Sequence, residues 1–599
     1  MFLFRLFSLC LPVAALAATP QEEISEKAPA ARAILDAWQA KNPEMGQRKL
    51  HVVLWTPADR EPAPQFRERL SAILRDIRKF YAREMERNGF GPRTIQFDEA
   101  GNGLINIHLV KGAKPYASYQ TESGGEIRKE CVEPLKAKGI DPDQETIVIF
   151  CNMSNWDPEK KTISQNSPYY AGGTNCSGTA WQVDSPILNL DFLDDHEPRV
   201  KDGQYGDISI GRYNSIFIGG IAHELGHALG LPHNCERPDQ KAAFGTALMG
   251  SGNRSYGEDR RGEGKGSFIT QAHALRLASH PIFCGSVKGM HLQASAKPSD
   301  FSIEPDGKGF KFSGKVTGDP PVYGVLAYMD PDGGGDYDAT TATAVPDRDG
   351  SFSLHCDALK PGKSAELRIV FLQANGVASG FLSATPFRFP YTVGPDGTAD
   401  ISSIQTRFAL QPLVDAVNAS NPSKAGELLA SPAISGDPRL HAIATRFTAT
   451  LQPHLRSEIP AETKKLPLSD LKAASEKTGY GPPLRDRLPT PEGVLSSAGK
   501  PFAHGFYAHA PAKHVWNLDG SWKSLNGSAG LADGMDGSVK FIIEADGKAL
   551  WQSPTVKPGK LHTFDVNLTG VKTLTLRTED AGDGRSSDWA LWLEPILSR

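Results

Sequence analysis

Two histidines four residues apart, with a glutamate behind the first, stand in His223-Glu224-Leu225-Gly226-His227. On a helix, positions i and i+4 lie one above the other on a single face, so both imidazoles can reach one ion. Glu224 then sits beside that ion, where a carboxylate can take the proton of an attacking water. Gly230 suits the left-handed residue that ends a helix, and Pro232 keeps the helix from continuing. The chain then turns back and offers His233 as a third nitrogen. Three protein nitrogens with one open position are the donor set of a catalytic zinc site, whereas a structural site is closed by four protein ligands.

Written out, His223 to His233 fits H-E-x-x-H-x-x-G-x-x-H, and Ala247-Leu248-Met249-Gly250-Ser251-Gly252 follows, with Met249 sixteen residues after His233. H-E-x-x-H alone recurs by chance in unrelated helices; the further matched positions and the methionine in a glycine-rich turn set this stretch apart. Through these residues the chain resembles the metzincin zinc proteases over about residues 50 to 285. The resemblance implies one catalytic Zn2+ held by His223, His227 and His233, with Glu224 as general base. It also implies that Met249 is an apolar floor beneath the imidazoles and not a ligand. In some metzincins a tyrosine near the methionine helps to stabilise the oxyanion. Tyr256 stands seven residues after Met249, off that spacing, and is the weakest of the candidates.

The elements that must position these groups read as an α/β arrangement. Leu50 to Trp55, Thr94 to Phe97, Leu104 to Val110 and Thr146 to Cys151 are predicted strands. Residues 64–87 and 125–138 are predicted helices, the first with Leu70, Ile73, Leu74, Ile77, Phe80 and Tyr81 along one side. The zinc helix is expected over 216–229 and a closing helix over 269–283. His273 and His280 on the latter lack ligand spacing and read as structural or exposed. A metzincin substrate adds to an edge strand before the zinc helix. Tyr169, Tyr170 and Trp181 are therefore candidates for substrate pockets, and packing of the sheet explains them equally well.

Beyond about residue 290 the pattern changes. Residues 288–398 show short alternating runs between Gly-Asp-Pro clusters, which predicts a β-sandwich, immunoglobulin-like or fibronectin-like. The acidic loop Asp330 to Asp338 offers carboxylates that Ca2+ could take, although a solvated turn explains it more simply. Residues 399–488 read as a helical spacer and linker, with helical periodicity over 404–417 and 440–455. Residues 489–599 alternate again, with Asp519-Gly520, Asp546-Gly547 and Asp583-Gly584 as turns. Ala508-His509-Ala510-Pro511, Val515 to Gly520, Gly537 to Phe541, Asp546-Gly547-Lys548 and Ala581 to Gly584 resemble the NPCBM family of carbohydrate-binding β-sandwich modules. Ser586 to Trp592 departs from the usual His- and Asp-rich ending of that family.

With 599 residues the chain is too long for one core. The predicted fold class is multidomain: an α/β metzincin-like catalytic domain over 49–287, a β-sandwich, a helical spacer and a C-terminal β-sandwich. Residues 19–48 form an N-terminal helical segment ahead of it. Charged residues are 22% and the formal net charge is −4, with no long basic run, which speaks against a nucleic-acid partner. Arg5, the apolar run Leu6 to Leu16 and Ala15-Leu16-Ala17 read as a secretory signal over residues 1–18, and the sequence shows no transmembrane segment. Export permits disulfides among Cys131, Cys151, Cys176, Cys235, Cys284 and Cys356. Cys235 and Cys284 bracket the methionine turn and are the expected pair.

Together these features predict an exported zinc metalloendopeptidase acting on O-glycosylated, mucin-type proteins, with cleavage that depends on the glycan. The carbohydrate preference follows from overall likeness and domain architecture, not from a motif. Two alternatives accompany it: a general secreted metalloendopeptidase with no glycan requirement, and a glycan-binding adhesin with a vestigial zinc site. The intact Glu224 argues against the adhesin.

Overall fold

The computed structural model describes residues 19–293, 295–380, 387–489, 491 and 493–599. The predicted secretory signal, with Cys10, lies outside the described residues. The chain divides into two compact units. One runs to Leu231 and resumes at Glu236–Lys288; the other comprises Pro232–Cys235 and Gly289–Arg599.

The first unit begins with helix α1 (Pro20–Ala40), whose N-cap Thr19 forms a capping box with Glu22. Its main sheet contains β1 (Leu50–Thr56), β2 (Ile107–Lys111), β3 (Thr146–Cys151), β6 (Tyr170–Gly173) and β7 (Gly178–Val183) in the order β2-β1-β3-β7-β6. The first four run parallel, and β6 pairs antiparallel with β7 at the edge. β3 is the unbroken apolar run Thr-Ile-Val-Ile-Phe-Cys and is buried at every position, as a central parallel strand covered on both faces must be. Alternation along the strands sends Val53, Trp55, Ile147, Ile149 and Cys151 to one face, against Ile127, Cys131 and Leu135 of α3 (Gly124–Lys136). Helix α2 (Phe66–Arg87) buries the predicted stripe Leu70, Ile73, Leu74, Ile77, Phe80 and Tyr81, together with Met85. Its Arg69 donates to the carbonyls of Ser185 and Leu188 at 2.9 and 2.7 Å and pairs with fully buried Asp184 at 3.1 Å, fixing the segment that leaves β7.

A second, four-stranded sheet contains β4 (Ser154–Asp157), β5 (Thr162–Gln165), β8 (Arg199–Asp202) and β9 (Gly206–Ser209). β9 runs straight into helix α4 (Ile210–Ala228), which carries His223 and His227. The strand just before that helix is therefore in this small sheet and is not the edge of the main one. α4 begins six residues earlier than predicted because Ser209 caps it, accepting the Arg212 N–H at 3.1 Å. The helix is buried on nearly every side, so its period alone could not mark the start.

Three other expectations change. Thr94–Phe97 is not a strand: Ile95 and Phe97 are buried, but only an isolated bridge joins Phe97 to Leu50. The single closing helix is two, Gln271–Ala278 and Pro281–Cys284, because Pro281 supplies no N–H to continue the first and holds the preceding residue extended. The Cys235–Cys284 bridge is not formed, since all six described cysteines are thiols. Cys284 Sγ instead lies 3.5 Å from the carbonyl oxygens of Ser279 and Ser286.

In the second unit, a three-stranded sheet (Lys297–Asp306, Gly309–Thr317, Ser351–Cys356) faces a six-stranded one that includes Val322–Pro331, Thr340–Ala344, Ser364–Gln373 and Arg388–Val393. Phe310, Phe312 and Leu354 of the first meet Val325, Leu367, Ile369 and Phe371 of the second in one core, which makes the predicted sandwich. The acidic loop is gathered around protein cations. Arg368 pairs with Asp330 at 2.6 Å and Asp336 at 3.0 Å, and Lys360 with Asp338 at 2.7 Å.

The predicted spacer has a core of its own. Helices Ser402–Asn418, Pro422–Leu429, Pro432–Ser435 and Pro438–Ala449 bury Leu413, Val417, Ile443 and Phe447 together. The last helix stops before the predicted Leu455, four residues ahead of Pro453.

The C-terminal module starts before residue 489. Lys465–Pro467 pairs with the final strand Ala590–Ser598, Ser475–Lys477 with Ala512–Asn517, and Leu484–Arg485 with Gly505–Tyr507. Strands of two or three residues are too short to show alternation, so only the pairing reveals them. Two sheets enclose Trp516, Trp522, Phe541, Phe564 and Trp592.

Candidate active site

Helix α4 carries His223 and His227 on one face, and their Nε2 atoms approach to 3.1 Å. The helix ends in a Schellman motif. Gly230 adopts φ +79°, its N–H donates to His227 O at 2.9 Å, and the Leu231 N–H donates to Gly226 O at 2.9 Å. That turn sends Pro232 and His233 back toward the helix face. His223, His227 and His233 each offer a ring nitrogen within 4.8 Å of the others.

Two backbone carbonyls orient the helical pair. His223 Nδ1 lies 2.7 Å from Leu248 O, and His227 Nδ1 lies 2.8 Å from Leu231 O. A carbonyl can only accept, so each Nδ1 carries the proton and each Nε2 presents its lone pair to the common point. Three imidazoles converging in this way fit a zinc ion. Burial holds His227 below the usual histidine range, which keeps the ring in its metal-binding neutral form.

Glu224 is buried beside the pair, and burial pushes its carboxyl up to about 7. A cation held by the triad acts in the opposite sense by favouring the carboxylate. Met249 is 1% exposed. Its Sδ would stand 2.5 Å from a Cβ placed on Gly226, so the glycine inside the motif leaves room for the methionine under the two imidazoles. Leu248, whose carbonyl holds His223, is fixed in turn by its N–H donating to Phe268 O at 2.8 Å. Tyr81 of α2 donates its hydroxyl proton to Ala222 O at 2.8 Å and braces the helix one residue ahead of His223.

The weaker candidates separate. Tyr169 lies on the α4 side of the sheet, against Gly220 and Phe217. Tyr170 and Trp181 face each other across the β6–β7 pair, with ring centroids 4.9 Å apart. They occupy the opposite face, where Trp181 packs on the α3 core and the Gly124 N–H donates to Tyr170 Oη at 3.1 Å. Packing thus accounts for both. Tyr256 is 5% exposed and donates its hydroxyl to Asp76 at 2.6 Å, so it is committed to α2 and not to the metal point. His273 and His280 are buried structural residues. The carbonyls of Leu231 and Leu248 escaped the sequence reading because backbone acceptors carry no residue signature. Tyr337, which stacks on His233 with centroids 3.6 Å apart, lies more than 100 residues away along the chain.

Residues 464–598 match the family model described as NPCBM/NEW2 domain. No curated protein matches the chain. Among solved structures, catalytic inactive OgpA from Akkermansia muciniphila, in complex with an O-glycopeptide (glycodrosocin) substrate, is 25% identical, covering 58% of this chain and 94% of that one with a TM-score of 0.48. Wild type OgpA from Akkermansia muciniphila is 26% identical, with coverage of 59% and 95% and a TM-score of 0.48. CBM51 from Clostridium perfringens GH95, in complex with methyl-galactose, is 24% identical, with coverage of 22% and 99% and a TM-score of 0.21. TM-scores below 0.5 are too low to carry an argument about this chain. None of its described helices is long and apolar enough to cross a membrane.

Proposed function

We propose that this protein is an exported zinc metalloendopeptidase that cuts O-glycosylated proteins and requires the glycan for cleavage. The observation that carries the proposal is the convergence of His223, His227 and His233 on one point, with Glu224 buried alongside. A zinc ion held there would supply Lewis acidity, lowering the pKa of a coordinated water and polarising a peptide carbonyl. The protein's own part is proton traffic and orientation. Glu224 takes the water's proton and passes it to the leaving amine. The Leu248 and Leu231 carbonyls keep both helical imidazoles in the tautomer that leaves Nε2 available. Met249 fills the space beneath them and excludes water from that side.

The match of residues 464–598 to a carbohydrate-binding type of module supports a glycan-bearing substrate. The test is digestion of a mucin-type glycoprotein before and after removal of its sugars, with mass spectrometry of the new termini. New termini are expected only from the glycosylated sample, and Glu224→Ala should abolish them with zinc still bound. Equal cutting of both samples would remove the glycan requirement and favour a general metalloendopeptidase. Cutting by Glu224→Ala would overturn the mechanism.

A further inference from the structure

We propose that the open pocket at the amino ends of β1 and β2 binds an oxyanion, the sulfate or carboxylate group of an acidic ligand, against Lys49, Lys138 and the His108 imidazole. The residues that line it all belong to the first unit. His51 and His108 are each the second residue of their parallel strand. Alternation puts both on the face that carries Val53, Trp55 and Val110, against α3. Helix α4 packs on the other face, where Gly178 leaves room for it, so the pocket stands apart from the histidine triad.

The pocket offers donors in excess. Lys138 follows α3, and its Nζ lies 3.3 Å from His108 Nδ1. An ammonium can only donate, so Nδ1 accepts and the ring proton sits on Nε2. His108 is 4% exposed, and its Nε2 has no hydrogen-bond partner among the described residues. A buried N–H without an acceptor is costly, so an acceptor-only ligand suits this ring. Asp98 does not fill that role, because its Oδ1 accepts from Lys49 at 2.9 Å and its Oδ2 from Asn106 at 3.0 Å. Each ammonium has three N–H groups and makes one such bond among the described residues. The remaining N–H groups can form charge-assisted bonds to an oxyanion.

The surrounding charge agrees. Burial holds His51 down to about 4 and His108 below the usual histidine range, so both rings are neutral at pH 7. Asp98 is opposed by Lys49 and Arg48 at His51, and by Lys138 and Arg67 at His108. Arg48 is itself paired with Glu145 at 2.8 Å. The other cations leave the field at the pocket positive.

Equilibrium dialysis of the full chain against labelled sulfate, at constant ionic strength in chloride, tests the site. Saturable binding is expected in the parent. His108→Leu, which keeps bulk and loses the Nε2–H, should weaken it about tenfold or more, as should Lys138→Gln, which removes an exposed charge. His108→Gln, which restores a side-chain N–H, should stay within about threefold of the parent. Should His108→Leu fail to fold by circular dichroism, Lys138→Gln carries the comparison. No saturable binding in the parent, or parent-like binding by Lys138→Gln, overturns the proposal. His223→Ala should still bind sulfate; loss of all saturable binding in that variant puts the anion at the triad and overturns the proposal as well. Competition identifies the source of the group, and only the choice of sugars here follows from the proposed function. Displacement by a 6-sulfated N-acetylglucosamine assigns a sulfate ester, displacement by N-acetylneuraminic acid a sugar carboxylate, and displacement by neither the free ion.

Discussion

His280 shows how one side chain in this fold couples structure to pH. It is 3% exposed and serves two partners at once: Nδ1 accepts the Ile282 N–H at 3.2 Å, and Nε2 lies 3.3 Å from Thr174 O. Both bonds are satisfied only by the neutral ring protonated on Nε2. Burial, with smaller effects of Arg48 and Arg276, holds its pKa down to about 4. In the unfolded chain it titrates near 6.5. Between those values the unfolded state binds the extra proton, so stability rises with pH across that window. The contribution is full above about pH 6.5 and is lost as pH falls toward about 4; it amounts to about 3 kcal/mol at most. His280→Asn, which can still accept the Ile282 N–H, should flatten the slope of unfolding free energy against pH between 6.5 and 4. Denaturant titrations at several pH values measure this, and an unchanged slope would refute the assignment.

Between elements, the contact that decides the site is the one between α4 and the methionine turn. A helix with glycine inside its catalytic motif gives up about 0.5–1 kcal/mol relative to alanine. The return is the approach of Met249 Sδ to the Gly226 backbone. Gly226→Ala should gain the helix propensity yet lose overall, because the new methyl group overlaps the methionine. Overpacking of this kind costs about 1–3 kcal/mol. The expected outcome is a lower unfolding midpoint together with faster zinc loss, read by denaturation and metal analysis on the same samples. A more stable variant with unchanged zinc content would show that the methionine moves aside freely. At the other end of the helix, Gly230 holds a left-handed conformation that lets the chain turn within two residues from His227 to Pro232.

Across the whole molecule, each unit has cores of its own, so a core lesson learned in one need not transfer to the other. Trp592 sits at the centre of the C-terminal module, 0% exposed, with ring centroids 5.0 Å from Phe541 and 5.6 Å from Phe564. Trp592→Ala should cost that module about 3–5 kcal/mol. Scanning calorimetry should show the loss in the transition of the second unit, and cleavage of a glycosylated trial peptide at low temperature should persist if the triad works without the module. A uniform shift of every transition would show that the units unfold as one.

The chemistry was local and therefore legible. His223, Glu224, His227, Gly230 and His233 lie within eleven residues, and helical geometry alone brings them together. The two parallel strands β1 and β3 were equally plain, since strands covered on both faces must be apolar throughout. What folding decided was everything set by partners distant in sequence. The start of α4 came from a serine cap in a uniformly apolar region. The face chosen by Tyr170 and Trp181 came from strand register, and a one-residue slip would have reversed it. The first strands of the C-terminal module became visible only through pairing with residues 21 to 133 positions later. The Leu248 carbonyl meets His223 through space, and a backbone acceptor leaves no mark that spacing can reveal.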